Sequence, residues 1–202
     1  YCSIKLPFLP KTAKFTFLSR IPVSEKYKTF ESDAPYFITI TIVRWLPLFS
    51  MPEFSSIVID SLKHCMAHKG LTLFGYCLMP SHLHLIAQSE KASPGSIIRD
   101  IKKFTAVKMA QVCKCDPDKA GFLEIFRQEA THIERNTHIK VWQDGYHPEI
   151  IFSNAFFFQK LNYIHMNPVV AGLVSTPEDY YFSSARNYAG LSAPLDIILE
   201  RV

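Results

Sequence analysis

The sequence has no long apolar run, no cysteine framework and only a small excess of charge. No stretch approaches the roughly 18 consecutive apolar residues of a membrane-spanning helix, so we expect no membrane partner. Five cysteines make an odd number without paired spacing, which argues against a disulfide-stabilised secreted domain and favours a reducing, cytoplasmic compartment. The net charge of +4, from 22 basic and 18 acidic residues, is too small to identify a partner.

The sequence does contain enough apolar material for one folded domain. Its 202 residues are 48% hydrophobic and 20% charged, which is typical of a globular protein with a substantial core. Residues 1–35 contain four prolines and no clear period, so they are expected to form a basic N-terminal arm. We assign residues 36–190 to the main folded domain and residues 191–202 to a C-terminal tail.

The apolar periodicity predicts alternating strands and helices. Strands are predicted at 36–46, 71–79, 82–88 and 138–142, and helices at 52–68, 94–113 and 153–167. A short helix is also expected in the stretch GFLEIFRQEA. The main order is close to the ferredoxin-like βαββαβ pattern. We therefore predict an α+β ferredoxin-like sandwich, with one antiparallel sheet and helices on one face.

The stretch MPSHLHLIAQ, residues 79–88, carries two histidines on a predicted strand. Because side chains alternate along a strand, His82 and His84 lie on one face, and Leu83 and Leu85 on the other. Two imidazoles on one face can bind a metal ion. They supply only two ligands, so a third must come from elsewhere, and the site would keep open positions as catalytic metal sites do. The alternative is that two surface histidines alternate with core leucines.

A second stretch, FQKLNYIHMNPVVAGLV at residues 158–174, indicates a helix that ends at residue 167, before Pro168. Tyr163 and Asn167 are four residues apart and therefore share one helix face. A tyrosine hydroxyl can serve as a nucleophile, and an asparagine oxygen can bind a metal ion. The alternative is a half-buried helix aromatic followed by an asparagine cap.

Together these stretches resemble the single-tyrosine transposases of the HUH endonuclease superfamily, most closely the REP-associated branch. The resemblance runs from about residue 36 to residue 188 and includes the segments IIRDIKKFTA, VWQDGYHPEII and DYYFSSARNY. It implies that His82, His84 and Asn167 bind a metal ion and that Tyr163 is the nucleophile. Related insertion-sequence transposases often carry glutamine where Asn167 stands.

The resemblance also implies a reaction and its partners. The expected activity is cleavage and transfer of single-stranded DNA near an imperfect hairpin through a 5′-phosphotyrosine intermediate, with Mg²⁺ or Mn²⁺ as cofactor. The protein would be bacterial and nucleoid-associated, and either a monomer or a homodimer. Two alternatives stay open, namely a hairpin-binding regulator that does not cleave, and a phosphodiesterase that uses water while Tyr163 is only structural.

Basic residues concentrate on the predicted helix that begins at Pro94. This clustering indicates either a phosphate-binding face or a solvated helix face. The predicted buried stripe consists of Ile97, Ile98, Ile101, Phe104 and Val112. Arg99, Lys102 and Lys103 would face outward, whereas Lys108 falls within the stripe. The candidate DNA-binding residues are Lys102, Lys103, Arg99, Lys108 and, beside the aromatic residues of segment 178–190, Arg186.

Several other residues have two interpretations. His147 and Glu149 are either ligand contacts or residues of a surface loop. The aromatic residues of segment 178–190 either stack on unpaired bases or pack against the domain. His64 and His68, four residues apart on a predicted helix, are expected to be surface histidines.

Overall fold

A four-stranded antiparallel sheet forms the centre of the protein in the computed structural model, which describes residues 34–91, 93–131 and 138–200. Its strands are β1 Tyr36–Thr41, β2 Leu71–Met79, β3 His82–Ser89 and β4 Glu149–Ile150. The strand order is β2-β3-β1-β4, and every neighbouring pair is antiparallel. This is the ferredoxin-like arrangement, so the predicted fold class is confirmed. The arm predicted for residues 1–35 lies almost wholly outside the described residues.

The alternation of side chains along β1 and β3 divides the apolar residues between two faces of the sheet. Ile38, Leu83 and Leu85 belong to one buried cluster, whereas Phe37 and Ile86 belong to another. The register pairs β1 with β3 so that Thr39 lies opposite His84 and Thr41 lies opposite His82. Both histidines therefore lie on the same face as Phe37, as the strand period predicts.

The helices are α1 Pro52–His68, α2 Pro94–Cys115, α3 Ala120–Ala130, α4 Asn154–Val170 and α5 Ala185–Tyr188. Helices α1 and α2 cover the leucine face of β3, and α4 covers the histidine face. Helices α1 and α2 thus lie on one face of the sheet as predicted, whereas α4, which carries Tyr163, lies on the opposite face and departs from the prediction. In the described part of the chain, no helix is both long and apolar enough to span a bilayer.

Two predicted strands are shorter in the structure. The first strand ends at Thr41 because Arg44 and Trp45 adopt positive φ and form a tight turn. The predicted strand 138–142 contributes only one bridge, between Ile42 and Trp142. Its apolar side chains are buried in the α1–α2 core, so the apolar pattern is explained by burial and does not indicate pairing with another strand. The fourth strand is β4, which follows later in a segment without apolar alternation.

Helix α4 continues past the boundary predicted at residue 167. The carbonyl of Asn167 accepts a hydrogen bond from the amide of Ala171 at 2.9 Å, so the helical turn is closed beyond Pro168. A proline removes one backbone donor and crowds the carbonyl four residues before it, but Pro168 lies in the last turn of the helix and its ring is buried. Gly172, with φ of 68°, then ends the segment in the left-handed conformation that glycine tolerates.

The C-terminal segment packs against β2. The hydroxyl of Tyr180 donates to the Leu78 carbonyl at 2.9 Å, and that of Tyr188 donates to the Phe74 carbonyl at 3.0 Å. The packing interpretation therefore holds for both tyrosines, whereas Tyr181 is 56% exposed. Residues 191–200 continue this packing, because Leu195 is buried in the core.

Close approach of α4 to the sheet depends on Gly75. A methyl group at Gly75 would lie 2.8 Å from Leu161 Cδ1 and 3.1 Å from Ile164 Cδ1. Gly75→Ala is therefore expected to lower the free energy of unfolding by about 1–3 kcal/mol, measured by urea denaturation. Gly121→Ala, in α3, is the matched control, because no described atom lies within 4 Å of the added methyl group. The control should raise stability slightly, and equal stability of both variants would contradict the close approach.

Candidate active site

A pocket of about 290 Å³ opens on the α4 face of the sheet and brings together residues that are distant in the sequence. Its wall consists of Phe37, Thr39, Trp45, His82, His84, Glu149, Lys160 and Tyr163. We call it the histidine pocket. Three of the four residues proposed from the two sequence stretches, namely His82, His84 and Tyr163, line it.

His84 is held with one ring nitrogen bonded and the other unpaired. Its Nδ1 lies 2.8 Å from the Thr39 hydroxyl, and its ring stacks on Phe37 with centroids 5.6 Å apart. Nε2 is buried and has no hydrogen-bond partner among the described residues. Burial lowers the pKa of His84 to about 3, with further contributions from His82 and Lys160, so the ring is neutral at pH 7. A neutral imidazole whose Nδ1–H is bonded to a neighbour presents Nε2 as a metal ligand.

His82 lies beside His84, with ring centroids 4.7 Å apart. Its Nδ1 is 3.1 Å from the hydroxyl of Ser81, and the edge of its ring meets Trp45 with centroids 5.4 Å apart. Burial also lowers the pKa of His82. Two neutral imidazoles of fixed orientation therefore converge on the pocket.

The candidates for a third ligand differ in position. Glu149 lines the pocket, and both of its carboxylate oxygens lie 2.8 Å from Lys160 Nζ. Asn167 is partly buried one turn beyond Tyr163, does not line the pocket, and has an amide nitrogen without a described partner. Within the described residues, no group of three His, Cys, Asp or Glu is placed to hold a metal ion. The metal-binding role of Asn167 therefore stays a prediction. His147 is exposed and lies outside the pocket wall.

Tyr163 lies at the rim of the pocket, where its side chain is accessible. The residue is 50% exposed, and its ring meets His84 edge-on with centroids 5.6 Å apart. Helix α4 holds it there because Leu161 and Ile164 are buried against the sheet, while the hydroxyl of Ser153 caps the helix. The phenol is thus free to meet a molecule that enters the pocket.

Sequence reasoning missed two polar residues of the pocket wall, Thr39 and Lys160. The Lys160 ammonium lies 4.4 Å from the centroid of the Phe37 ring and forms the ion pair with Glu149. Its position three residues before Tyr163 on a helix was a signal that could have identified it. Thr39 gave no such signal, because its contact with His84 depends on the register between β1 and β3.

Three of the predicted DNA-binding residues line a second groove, of about 510 Å³, between α2 and the loop 139–146. We call it the α2 groove. Arg99 and Lys103 are exposed there. Lys102 is half-buried, and its ammonium donates to the carbonyls of Gln143 at 2.6 Å and Gly145 at 2.7 Å. Burial lowers its pKa to about 8. The outward orientation predicted for Lys102 is therefore wrong, because its ammonium fastens a loop.

Lys108 lies outside the buried stripe of α2, and Arg186 lies beside Tyr181, with its guanidinium 5.9 Å from the ring centroid. The buried stripe of α2 continues through Thr105 and Met109 rather than Phe104, which is 50% exposed. Lys108 is consequently exposed, with its ammonium 5.8 Å from the centroid of the Phe104 ring. Arg186 donates to the carbonyls of Ser192 at 2.6 Å and Glu178 at 2.9 Å, so it holds the C-terminal segment together.

Comparison with known proteins identifies the fold. Neither a protein-family model nor a curated protein matches the sequence. A solved structure of a REP-associated tyrosine transposase bound to a REP hairpin matches with a TM-score of 0.59 and 19% sequence identity, over 89% of this chain and 99% of that chain. The chain has the fold of this transposase. A candidate transposase from Deinococcus radiodurans R1 matches at 18% identity over 70% of this chain and 95% of that chain, with a TM-score of 0.36 that does not establish a shared fold.

The transposase fold agrees with the resemblance seen in the sequence and is established independently of it. Chains that share less than a quarter of their residues can share a fold while their sites differ. The function of this chain therefore depends on the chemistry of the histidine pocket itself.

Proposed function

We propose that this protein is a metal-dependent enzyme that cleaves and transfers single-stranded DNA with Tyr163 as nucleophile. The observation that carries the proposal is the convergence of His82, His84 and the accessible Tyr163 on one pocket. The transposase fold supports DNA as the substrate class. Since the solved transposase is bound to a REP hairpin, we propose DNA with an imperfect hairpin as the partner.

The histidine pocket fits a divalent cation. His84 Nε2 is buried without a described partner, and a metal ion would satisfy it. His82 and His84 would hold the ion, with the side-chain oxygen of Asn167 as third ligand. We favour Mg²⁺ or Mn²⁺, because the substrate phosphate would add oxygen ligands. Once bound, such an ion would polarise the scissile phosphate and offset the charge of the transition state.

Tyr163 performs the covalent step in this proposal. Its phenolic oxygen loses a proton and forms a bond to phosphorus, while the bond from phosphorus to the 3′ oxygen breaks and that oxygen takes up a proton. The product is a 5′-phosphotyrosine and a free 3′-hydroxyl. Attack by another 3′-hydroxyl reverses the step and joins a new strand without ATP, because the number of phosphoester bonds is conserved.

Lys160 supplies positive charge to the wall of the pocket beside Tyr163. Its ammonium contacts both the Phe37 ring and the Glu149 carboxylate, so both neighbours orient it. A phosphate group that approaches Tyr163 would meet this ammonium, which stabilises negative charge in a partly water-excluded site. Glu149 would thus act as a positioning residue for Lys160.

Exposed cations of the α2 groove are expected to contact DNA phosphates. Lys103→Ala and Arg99→Ala should each weaken binding of hairpin DNA and reduce the slope of log K against log salt by about 0.7–0.9 per lost contact. Lys102→Ala should instead lower thermal stability, because the carbonyls of the loop lose their donor. Fluorescence anisotropy at several salt concentrations and thermal melts measure the two effects. An unchanged slope for both exposed variants would assign these residues to a solvated face.

A cleavage assay on single-stranded hairpin DNA, analysed on a denaturing gel in the presence of Mg²⁺ or Mn²⁺, tests the proposed function. A covalent protein–DNA band is the expected result. Release of free ends without that band would support a phosphodiesterase that uses water. A mobility shift without cleavage would support a hairpin-binding regulator.

A further inference from the structure

The turn that follows β1 holds two consecutive residues in a conformation that non-glycine residues rarely adopt. Arg44 has φ of 51° and Trp45 has φ of 54°. Such backbone strain costs conformational free energy, and it persists only where the surrounding structure enforces it. Strained residues of this kind cluster at ligand-binding and catalytic sites, and this turn borders the histidine pocket.

Contacts on both sides of the turn enforce this conformation. The amide of Val43 donates to the carbonyl of Val141 at 2.9 Å, and the amide of Trp45 donates to the carbonyl of Ile42 at 3.1 Å. The guanidinium of Arg44 forms an ion pair with Glu129 of α3 at 2.8 Å. The turn is therefore fastened to the segment before β4 and to α3, and this fixes the backbone position from which the Trp45 side chain projects.

The Trp45 side chain is positioned by the fold but not covered by it. It is 59% exposed, although its ring and that of His82 meet edge-to-face with centroids 5.4 Å apart. The other tryptophan, Trp142, is 4% exposed and donates its indole N–H to Thr105 at 2.9 Å. Core packing thus accounts for Trp142 and leaves the exposed indole of Trp45 unexplained.

We propose that Trp45 is a binding site for one unpaired nucleobase, which stacks on the exposed indole next to the scissile phosphate. This inference rests on the proposed function and extends it to a residue that determines how the strand is placed. Every base has a π face, so stacking on an indole tolerates different bases. It requires, however, that the base is not paired with a complementary base. Because Trp45 contacts His82, a base stacked there belongs to a nucleotide beside the phosphate that the pocket receives.

Tryptophan fluorescence tests the stacking directly, because the chain has only two tryptophans and Trp142 is buried. The experiment uses Tyr163→Phe protein with EDTA, so that neither cleavage nor metal binding affects the signal. Short single-stranded oligonucleotides should quench the emission, and the quenching should disappear in a Trp45→Leu variant. Bound oligonucleotides that leave the emission unchanged would overturn the inference.

A panel of variants and abasic substrates locates the stacked base. On intact DNA, Trp45→Leu should weaken binding by about 5- to 100-fold, and Trp45→Phe should recover most of that loss. On a substrate that lacks the one stacked base, Trp45→Leu should leave the binding affinity unchanged. If Trp45→Leu weakens binding equally on the intact substrate and on every abasic substrate, the inference is overturned. If stacking occurs but no covalent adduct forms with active protein, the proposed function fails while the nucleobase site stands.

Discussion

Replacing His82 and His84 together with alanine is expected to abolish DNA cleavage and to remove measurable binding of Mn²⁺. The two rings supply the nitrogen ligands of the proposed metal site, and loss of a merely supporting group at such sites costs about 10- to 100-fold. Calorimetric titration with Mn²⁺ measures binding without DNA, and the denaturing-gel assay measures cleavage. Undiminished cleavage by the double variant in the presence of Mg²⁺ would contradict the metal assignment.

The chain offers a matched control in His64 and His68 of α1. Their ring centroids are also 4.7 Å apart, and both residues are exposed, as the sequence predicts for surface histidines. Replacing both with alanine should leave Mn²⁺ binding and cleavage unchanged. Of the two single variants, His82→Ala is expected to disturb folding less than His84→Ala. His84 is only 4% exposed and stacks on Phe37, so its removal would disturb the packing.

Tyr163→Phe is expected to eliminate the covalent adduct while folding and hairpin binding stay near normal. The ring contacts of Tyr163 with His84 and Phe37 do not involve the hydroxyl, so phenylalanine keeps them. Only the attacking oxygen is lost, and the chemical step depends on it. Gel electrophoresis under denaturing conditions measures the adduct, and anisotropy measures binding.

Tyr181→Phe is the control for this substitution, since Tyr181 is 56% exposed and lies outside the pocket wall. Tyr181→Phe should form the covalent adduct at the same rate as the wild-type protein. If Tyr163→Phe continues to cleave DNA, the hydroxyl of Tyr163 is not the nucleophile.

The periodicity of apolar residues was enough to predict the strand and the helices that position the site. Alternation along β3 assigned the two histidines to one face and Leu83 and Leu85 to the other, and the structure confirms both. Helix α1 has the predicted bounds, 52–68, because an apolar stripe and an initial proline define them. The buried positions predicted for α4, among them Leu161 and Ile164, are also confirmed.

The features that could not be predicted depend on pairings between distant segments. Thr39 supports His84 only because β1 and β3 pair in one particular register. Lys102 is turned inward by two loop carbonyls that no helical period reveals. The turn at Trp45 falls within an alternating apolar stretch that indicates a strand, and contacts with Val141 and α3 override that tendency.

Peptide mapping of a trapped protein–DNA adduct identifies the residue that forms the covalent bond to DNA. Wild-type protein is incubated with single-stranded hairpin DNA and Mn²⁺, denatured, digested with protease and nuclease, and analysed by mass spectrometry. We predict a nucleotide joined through its 5′ phosphate to Tyr163. A nucleotide on Tyr180, Tyr181 or Tyr188, or cleavage without any modified tyrosine, would contradict the account.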